Sequence, residues 1–215
     1  MIEKTKYRFL LIQAFKLSRN SKFMPIGMPA DTGLPKEQSV MNYDNIKNLF
    51  EDVEWDLHKG PPSPYGDWPA ENREEICLLA AARLPIVHQA CESGKYNAII
   101  LLGGAEPGFL ESREIARKYN IPVTSCAFSQ MHIASTLGTK FSIIDLAESH
   151  NMFYYNIVVQ HGFTQRCASI RNINYPLPRP GYTGEPSLTE ERDKAVRGEP
   201  SEAVERAVSE AVTAI

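Results

Sequence analysis

Residues 97–116, NAIILLGGAEPGFLESREIA, decide the fold. Residues 98–102 form a short, continuously apolar run, the pattern of a strand buried on both faces. Gly103 and Gly104 break the run, Ala105, Glu106 and Pro107 follow, and a helix is predicted to open near Gly108. In an open α/β sheet, ligands bind beyond the carboxyl ends of the strands. There glycine lets backbone approach a guest, and the first unpaired amides of a helix favour an anion. The turn is therefore the first candidate binding site, although a ligand-free strand-to-helix connection shares its pattern.

The flanking sequence continues the same alternation. Upstream, residues 7–14 (YRFLLIQA) read as a buried strand, 43–50 as a short helix and 53–57 as a second strand. The stretch 17–42 carries Pro25, Pro29 and Pro35 with Gly27 and Gly33, and residues 58–69 are again rich in proline, so both are loops. Residues 72–93 have a helical apolar face, with Pro85 predicting a kink and Gly94 a stop. Downstream come a helix at 109–119, a strand at 121–126, a helix at 129–137 closed by Gly138, a strand at 140–146, a helix at 151–160 and a strand at 169–175. Parallel strands need crossover helices, so this order predicts an α/β fold with parallel sheets covered on both faces.

The C-terminal region is predicted helical, with a capping-box pattern at Ser187 and Glu190 and a last helix opened by Pro200 and Ser201. Val204, Ala207, Val208, Ala211, Val212 and Ile215 form an apolar stripe reaching the final residue. Helices are usually closed by glycine or cations. The unfinished stripe therefore predicts that the second half lacks its last strand, or that a partner supplies it, with a homo-oligomer expected.

Composition narrows the function. A net charge of −3 without a clustered Lys/Arg tract removes the electrostatic footprint of nucleic-acid binding. No apolar run approaches the roughly 20 residues of a membrane span, and residues 1–8 lack a signal-type apolar core, so no membrane partner and a cytoplasmic location are expected. Cys77, Cys91, Cys126 and Cys167 lie far apart and signal neither zinc nor a disulfide framework. No histidine pairing at ligand spacing, no phosphate-loop or dinucleotide fingerprint and no nucleophile elbow is present. The candidate binding residues are those expected at the carboxyl ends of the strands: Gly103, Gly104, Ala105, Glu106, Cys126 and Asp145. Cys126 is the cysteine expected on this rim, where amides or a cation would favour a thiolate. Glu106 is expected beside a helix N-terminus, whose dipole stabilises a carboxylate.

A family resemblance rests on several collinear runs: Gly60-Pro61-Pro62-Ser63, Tyr96-Asn97-Ala98-Ile99-Ile100, Glu106-Pro107-Gly108-Phe109 with Arg113-Glu114, and Ile121-Pro122-Val123. It continues through residues 137–144 (LGTKFSII) and His161-Gly162-Phe163 with Arg166 and Ala168-Ser169-Ile170-Arg171. In these the chain resembles hydantoin racemases of the aspartate/glutamate racemase superfamily. The resemblance implies two flavodoxin-like lobes, here 1–127 and 128–215, with a small-molecule substrate between them. It also implies cofactor-independent chemistry, with no pyridoxal phosphate and no metal. In the family, two cysteines exchange protons on opposite faces of an acidic carbon next to a carbonyl or carboxylate, because inversion needs removal and delivery from opposite sides.

The chain departs from that pattern at the chemistry. Gly103 occupies the first-cysteine position and the segment of the second cysteine is absent, so the catalytic residues are not assigned. Three readings follow: a hydantoin racemase-like isomerase, an arylmalonate-decarboxylase-like lyase that protonates from one face, and an inactive small-carboxylate binding or assembly protein. In each, the glycine bend faces a small anionic guest across a cleft whose far wall is incomplete.

Overall fold

The strand expected after Asn97 is an inner strand of a parallel sheet. The structure, a computed structural model, describes residues 7–21, 23, 36–39, 43–175, 177–181 and 188–214. Its main elements are β1 (Tyr7–Ile12), α1 (Tyr43–Ile46), β2 (Val53–His58), α2 (Arg73–Glu92), β3 (Ala98–Leu101), α3 (Phe109–Arg117) and β4 (Val123–Ser125). They continue with α4 (Cys126–Leu137), β5 (Phe141–Asp145), α5 (Asn151–Gln160), β6 (Cys167–Asn172), α6 (Leu188–Val196) and α7 (Glu202–Thr213).

One sheet has the order β2-β1-β3-β4, and β5-β6 form a second. Every pairing is parallel, with β1 in register with β3 from Phe9↔Ala98 to Ile12↔Leu101. The expected α/β fold of parallel sheets flanked by helices is therefore observed.

Burial on both faces of the sheet explains why these apolar runs are strands, with Leu10, Leu11 and Ile12 of β1 buried in succession. Leu10, Ile12, Ile99 and Leu101 meet Val87, Ala90 and Cys91 of α2 and Phe109 and Ala116 of α3 in one buried cluster. Each Leu, Ile, Val or Phe side chain among them contributes about 1.5–3 kcal/mol when removed from water. Around the second sheet, Ala127 and Met131 of α4 pack on Ile157 and Val158 of α5 and on Phe163. The capping box of α2 is made by Asn72 and Glu75, and the helix continues through Pro85.

Three local expectations are revised. Cys126 was expected to end a strand, but β4 stops at Ser125 and Cys126 is the first residue of α4. The strand expected at 169–175 begins at Cys167; beyond β6, Ile173 and Tyr175 still bond to Asp145 and Leu146 through backbone N–H···O contacts of 3.0 and 2.8 Å. The packed face of α7 is offset from the apolar stripe. Ala203 is buried, Arg206 donates to the Ile173 carbonyl at 3.3 Å and Arg171 pairs with Glu210 at 2.5 Å. Val204, Val208 and Val212 point outward, 48%, 59% and 68% exposed, because these polar contacts set the helix rotation.

The capping pattern at Ser187, most of the 17–42 loop and Ile215 lie outside the described residues. Among the described residues no helix is long and apolar enough to cross a membrane.

Candidate functional site

The bend after β3 is built from backbone that side-chain-bearing residues rarely adopt. Gly103, Glu106 and Gly108 have φ of 106°, 52° and 74°, so the chain reverses within six residues. A Cβ added to Gly103 would stand 2.7 Å from the Ala14 Cβ, and one added to Gly104 would stand 2.6 Å from the Tyr154 hydroxyl. Glycine is thus required at position 103, where a cysteine would meet a left-handed backbone as well as Ala14, whereas a side chain at position 104 would meet the hydroxyl end of Tyr154.

Arg83 of α2 fastens the bend from beneath. Its fully buried guanidinium donates to the Leu102 carbonyl at 2.8 Å and to the Pro107 carbonyl at 3.0 Å, bridging both ends of the turn. Its Nε has no hydrogen-bond partner. Burial pulls its pKa down to about 10, so the group stays cationic at neutral pH.

Glu106 caps a different helix from the one expected. Its left-handed backbone turns the side chain away from α3 toward α4, where it accepts from the Ser125 hydroxyl and the Phe128 amide. The second carboxylate oxygen accepts from His161 Nε2 at 2.7 Å, beyond the end of α5. Both side chains are almost wholly enclosed, 2% and 4% exposed. His161 also stands edge-on to Phe109 and Phe128, with ring centroids 5.6 and 5.0 Å away. One carboxylate therefore satisfies three donors and ties the bend, the start of α4 and the end of α5 together. It also explains why α4 begins early, since the Phe128 amide that would otherwise be orphaned at a helix start has a partner.

Cys126 sits at that helix start. The Gly103 amide donates to its sulfur and the Arg83 charge favours its thiolate, but burial dominates and pushes the thiol up from its ordinary value. The resting group is a neutral thiol. Cys91 is buried in the core, Cys77 is exposed and Cys167 is half-buried. Cys126 alone of the four adjoins the bend.

The opposing wall comes from the second sheet. Asp145 ends β5 and accepts from His150 Nδ1 and, at 3.4 Å, from the Ala147 amide. Tyr154 of α5 is hydrogen-bonded to Asp145, and its hydroxyl lies over Gly104. Burial, then the Asp145 carboxylate, raise the Tyr154 pKa, so the phenol keeps its proton. His150 is 6% exposed and its Nε2 has no partner. The two halves are further joined by Arg179, which pairs with Glu71 at 3.2 Å and Glu75 at 3.0 Å, and by the Ser149 hydroxyl on Glu71 at 3.1 Å.

Of the sequence candidates, Gly103, Gly104, Glu106 and Cys126 surround one bend, and Asp145 reaches it through Tyr154. Ala105 contributes backbone only. Sequence reasoning missed Arg83, His150 and Tyr154, and gave His161 no role beyond the family resemblance. Arg83 alone carried a signal, as a charge on the apolar side of a helix next to Leu79 and Val87. A hollow of about 220 Å³ lies beside the site, lined by Ala127, Met131, Phe141, Ile143, Tyr154 and Ile157 among others. Among the described residues no cluster of three or more His, Cys, Asp or Glu is placed to hold a metal.

Parallel sheets whose carboxyl ends face each other across a bend with one thiol define a class of architecture. That fold is shared with solved racemase structures. The allantoin racemase from Klebsiella pneumoniae superposes with a TM-score of 0.61 at 18% identity, covering 94% of this chain and 68% of the other. The allantoin racemase from Pseudomonas fluorescens gives a TM-score of 0.60 at 17% identity, covering 94% and 69%. No protein-family model matches the chain, and no curated protein sequence matches it.

Proposed function

We propose that the chain exchanges a proton at the acidic carbon of a small molecule, next to a carbonyl or carboxylate, without a cofactor. The substrate class is hydantoin-like, allantoin included, and the closest activity is that of a hydantoin racemase. The observation that carries this reading is the place of Cys126 as first residue of α4, whose start Glu106 of the glycine bend holds through the Ser125 hydroxyl and the Phe128 amide. Cys126 is the proton-exchanging group. The partly exposed backbone of Gly103, Gly104 and Ala105 receives the charged end of the guest, with the buried cation of Arg83 behind it. Glu106 holds the start of α4 and so places Cys126. The lobe division at 127/128, self-association and the absence of a cofactor belong to the same proposal. The test is deuterium uptake by 5-substituted hydantoins and allantoin in deuterated water. The protein should speed it and Cys126→Ser should abolish the gain, whereas equal rates in the two would refute the role of Cys126.

A second reading is favoured by the glycine at position 103 and the neutral thiol. A carbanion formed by loss of carbon dioxide from a malonate-like substrate would be protonated from one face only, by the Cys126 thiol. Carbon dioxide release from arylmalonates, with an optically active product, distinguishes it from racemisation.

A further inference from the structure

We infer that Tyr154, held by Asp145 and His150, is the second proton-transfer group of the bend, standing in for the thiol that position 103 lacks. This rests on the proton-exchange reading given above. Gly103 cannot carry the missing group, since its φ of 106° and the Ala14 Cβ close the space a side chain would need. The Tyr154 hydroxyl lies beside the following residue, Gly104, 2.6 Å from where a Cβ there would stand. It arrives from α5, in the half of the molecule opposite β3 and β4.

Tyr154 is not packed merely as a hydrophobic ring. Its phenol is bonded to Asp145, which in turn accepts from His150 Nδ1. A buried carboxylate so oriented fixes the hydroxyl within a narrow arc, the preorganisation that proton transfer demands. His150 Nε2, buried and without a partner, is a polar atom left unsatisfied in this same group, as expected of a site that functions with a guest or water present. The Tyr154 phenol is protonated, burial and Asp145 both opposing its ionisation, so it enters the cycle as an acid.

The proton balance closes. Once the Cys126 thiol, neutral at rest, has given its proton to water, the thiolate forms an S–H bond as the substrate C–H bond breaks, and the electron pair moves into the adjacent carbonyl as an enolate. The Tyr154 O–H bond then breaks as the enolate pair forms a new C–H bond from the second wall. Thiol and phenolate remain, and either the reverse turnover of the other enantiomer or exchange with water restores the starting pair. Tyr154 is catalytic in this scheme, and Asp145 and His150 are positioning residues.

The test follows one enantiomer of allantoin in deuterated water, with the protein-free rate subtracted. Inversion is read by chiral chromatography and exchange by loss of the C5–H resonance. The unsubstituted protein should invert and exchange. Tyr154→Phe should lose inversion at least ~100-fold, the lower end of what one acid–base group supplies, while Cys126 still exchanges deuterium with retention. Asp145→Asn should lower the inversion-to-exchange ratio in the same sense, and it serves if Tyr154→Phe fails to fold by thermal unfolding. Inversion by Tyr154→Phe at the unsubstituted rate overturns the assignment of Tyr154 while leaving the role of Cys126 intact, as does exchange without inversion by the unsubstituted protein. Equal loss of inversion and exchange in folded Tyr154→Phe also overturns it, making Tyr154 a binding group. No exchange by the unsubstituted protein on any hydantoin ends the underlying reading itself.

Discussion

The two rims of the cleft are made of different material. The rim above β3 and β4 is backbone: glycine amides, a left-handed turn, and one thiol at a helix start. The rim above β5 is side chain: a carboxylate, an imidazole and a phenol bonded in series. Backbone rims depend on glycine, proline and the order of elements, whereas side-chain rims depend on which residue each helix rotation presents. Backbone amides can hold an anion without titrating, whereas a thiol, phenol or imidazole can exchange a proton.

The largest expected effect tests what joins the rims. Glu106→Ala would strand the buried His161 imidazole and the Phe128 amide, and each buried donor left without a partner costs about 1–3 kcal/mol. For a chain of this size that lowers the unfolding midpoint by roughly 10 °C, measurable by calorimetry. A change below about 1 kcal/mol would mean that the carboxylate does not join them.

Next, Gly103→Cys would sharpen the contrast by forcing a side chain onto the backbone rim. It should destabilise by about 1–3 kcal/mol through the left-handed conformation. Adding Ala14→Gly should recover the steric share and leave the backbone share. Urea unfolding of the single and double variants checks both.

The difference between the rims also explains what was legible in the sequence. The run from Asn97 to Gly108 announced strand, bend and helix because each depends on local residue types, and the bend lies where that reading placed it. Cys126 was placed one element early because its helix is capped by Glu106, twenty residues upstream, rather than by a local residue. His150 and Tyr154 gave no signal, since neither matches a ligand spacing and Tyr154 reaches Gly104 only through the tertiary packing of α5. Likewise the Val204, Val208 and Val212 stripe suggested a packed face, but Arg206 and Glu210 decide how α7 lies.

A smaller effect concerns the ionic contact of Arg179 that helps to join the two halves. Burial alone would raise the Glu75 pKa, but the Glu71 and Asn72 amides and Arg179 outweigh it and leave the carboxylate depressed. A depressed carboxylate contributes stability that is fully present above its unfolded pKa of 4.5 and is lost as pH falls through its lower folded value. Stability should therefore decline below about pH 4.5, and Glu75→Gln should flatten that acid limb in a pH series of chemical denaturation.

The smallest is a shift at the thiol. Because burial raises the Cys126 pKa, its alkylation by iodoacetamide should have a pH midpoint above that of an ordinary cysteine. Arg83→Met removes a cation that favours the thiolate, and should move the midpoint further up. A downward shift would show that Arg83 does not act on Cys126.

The most direct measurement is deuterium entry at the acidic carbon of allantoin, followed by proton NMR with the unsubstituted protein and with Cys126→Ser at equal concentration. Catalysed entry that disappears in Cys126→Ser, by ~100-fold or more, is the predicted result. Entry no faster than in protein-free buffer, or unchanged by the substitution, would contradict proton exchange at the glycine bend.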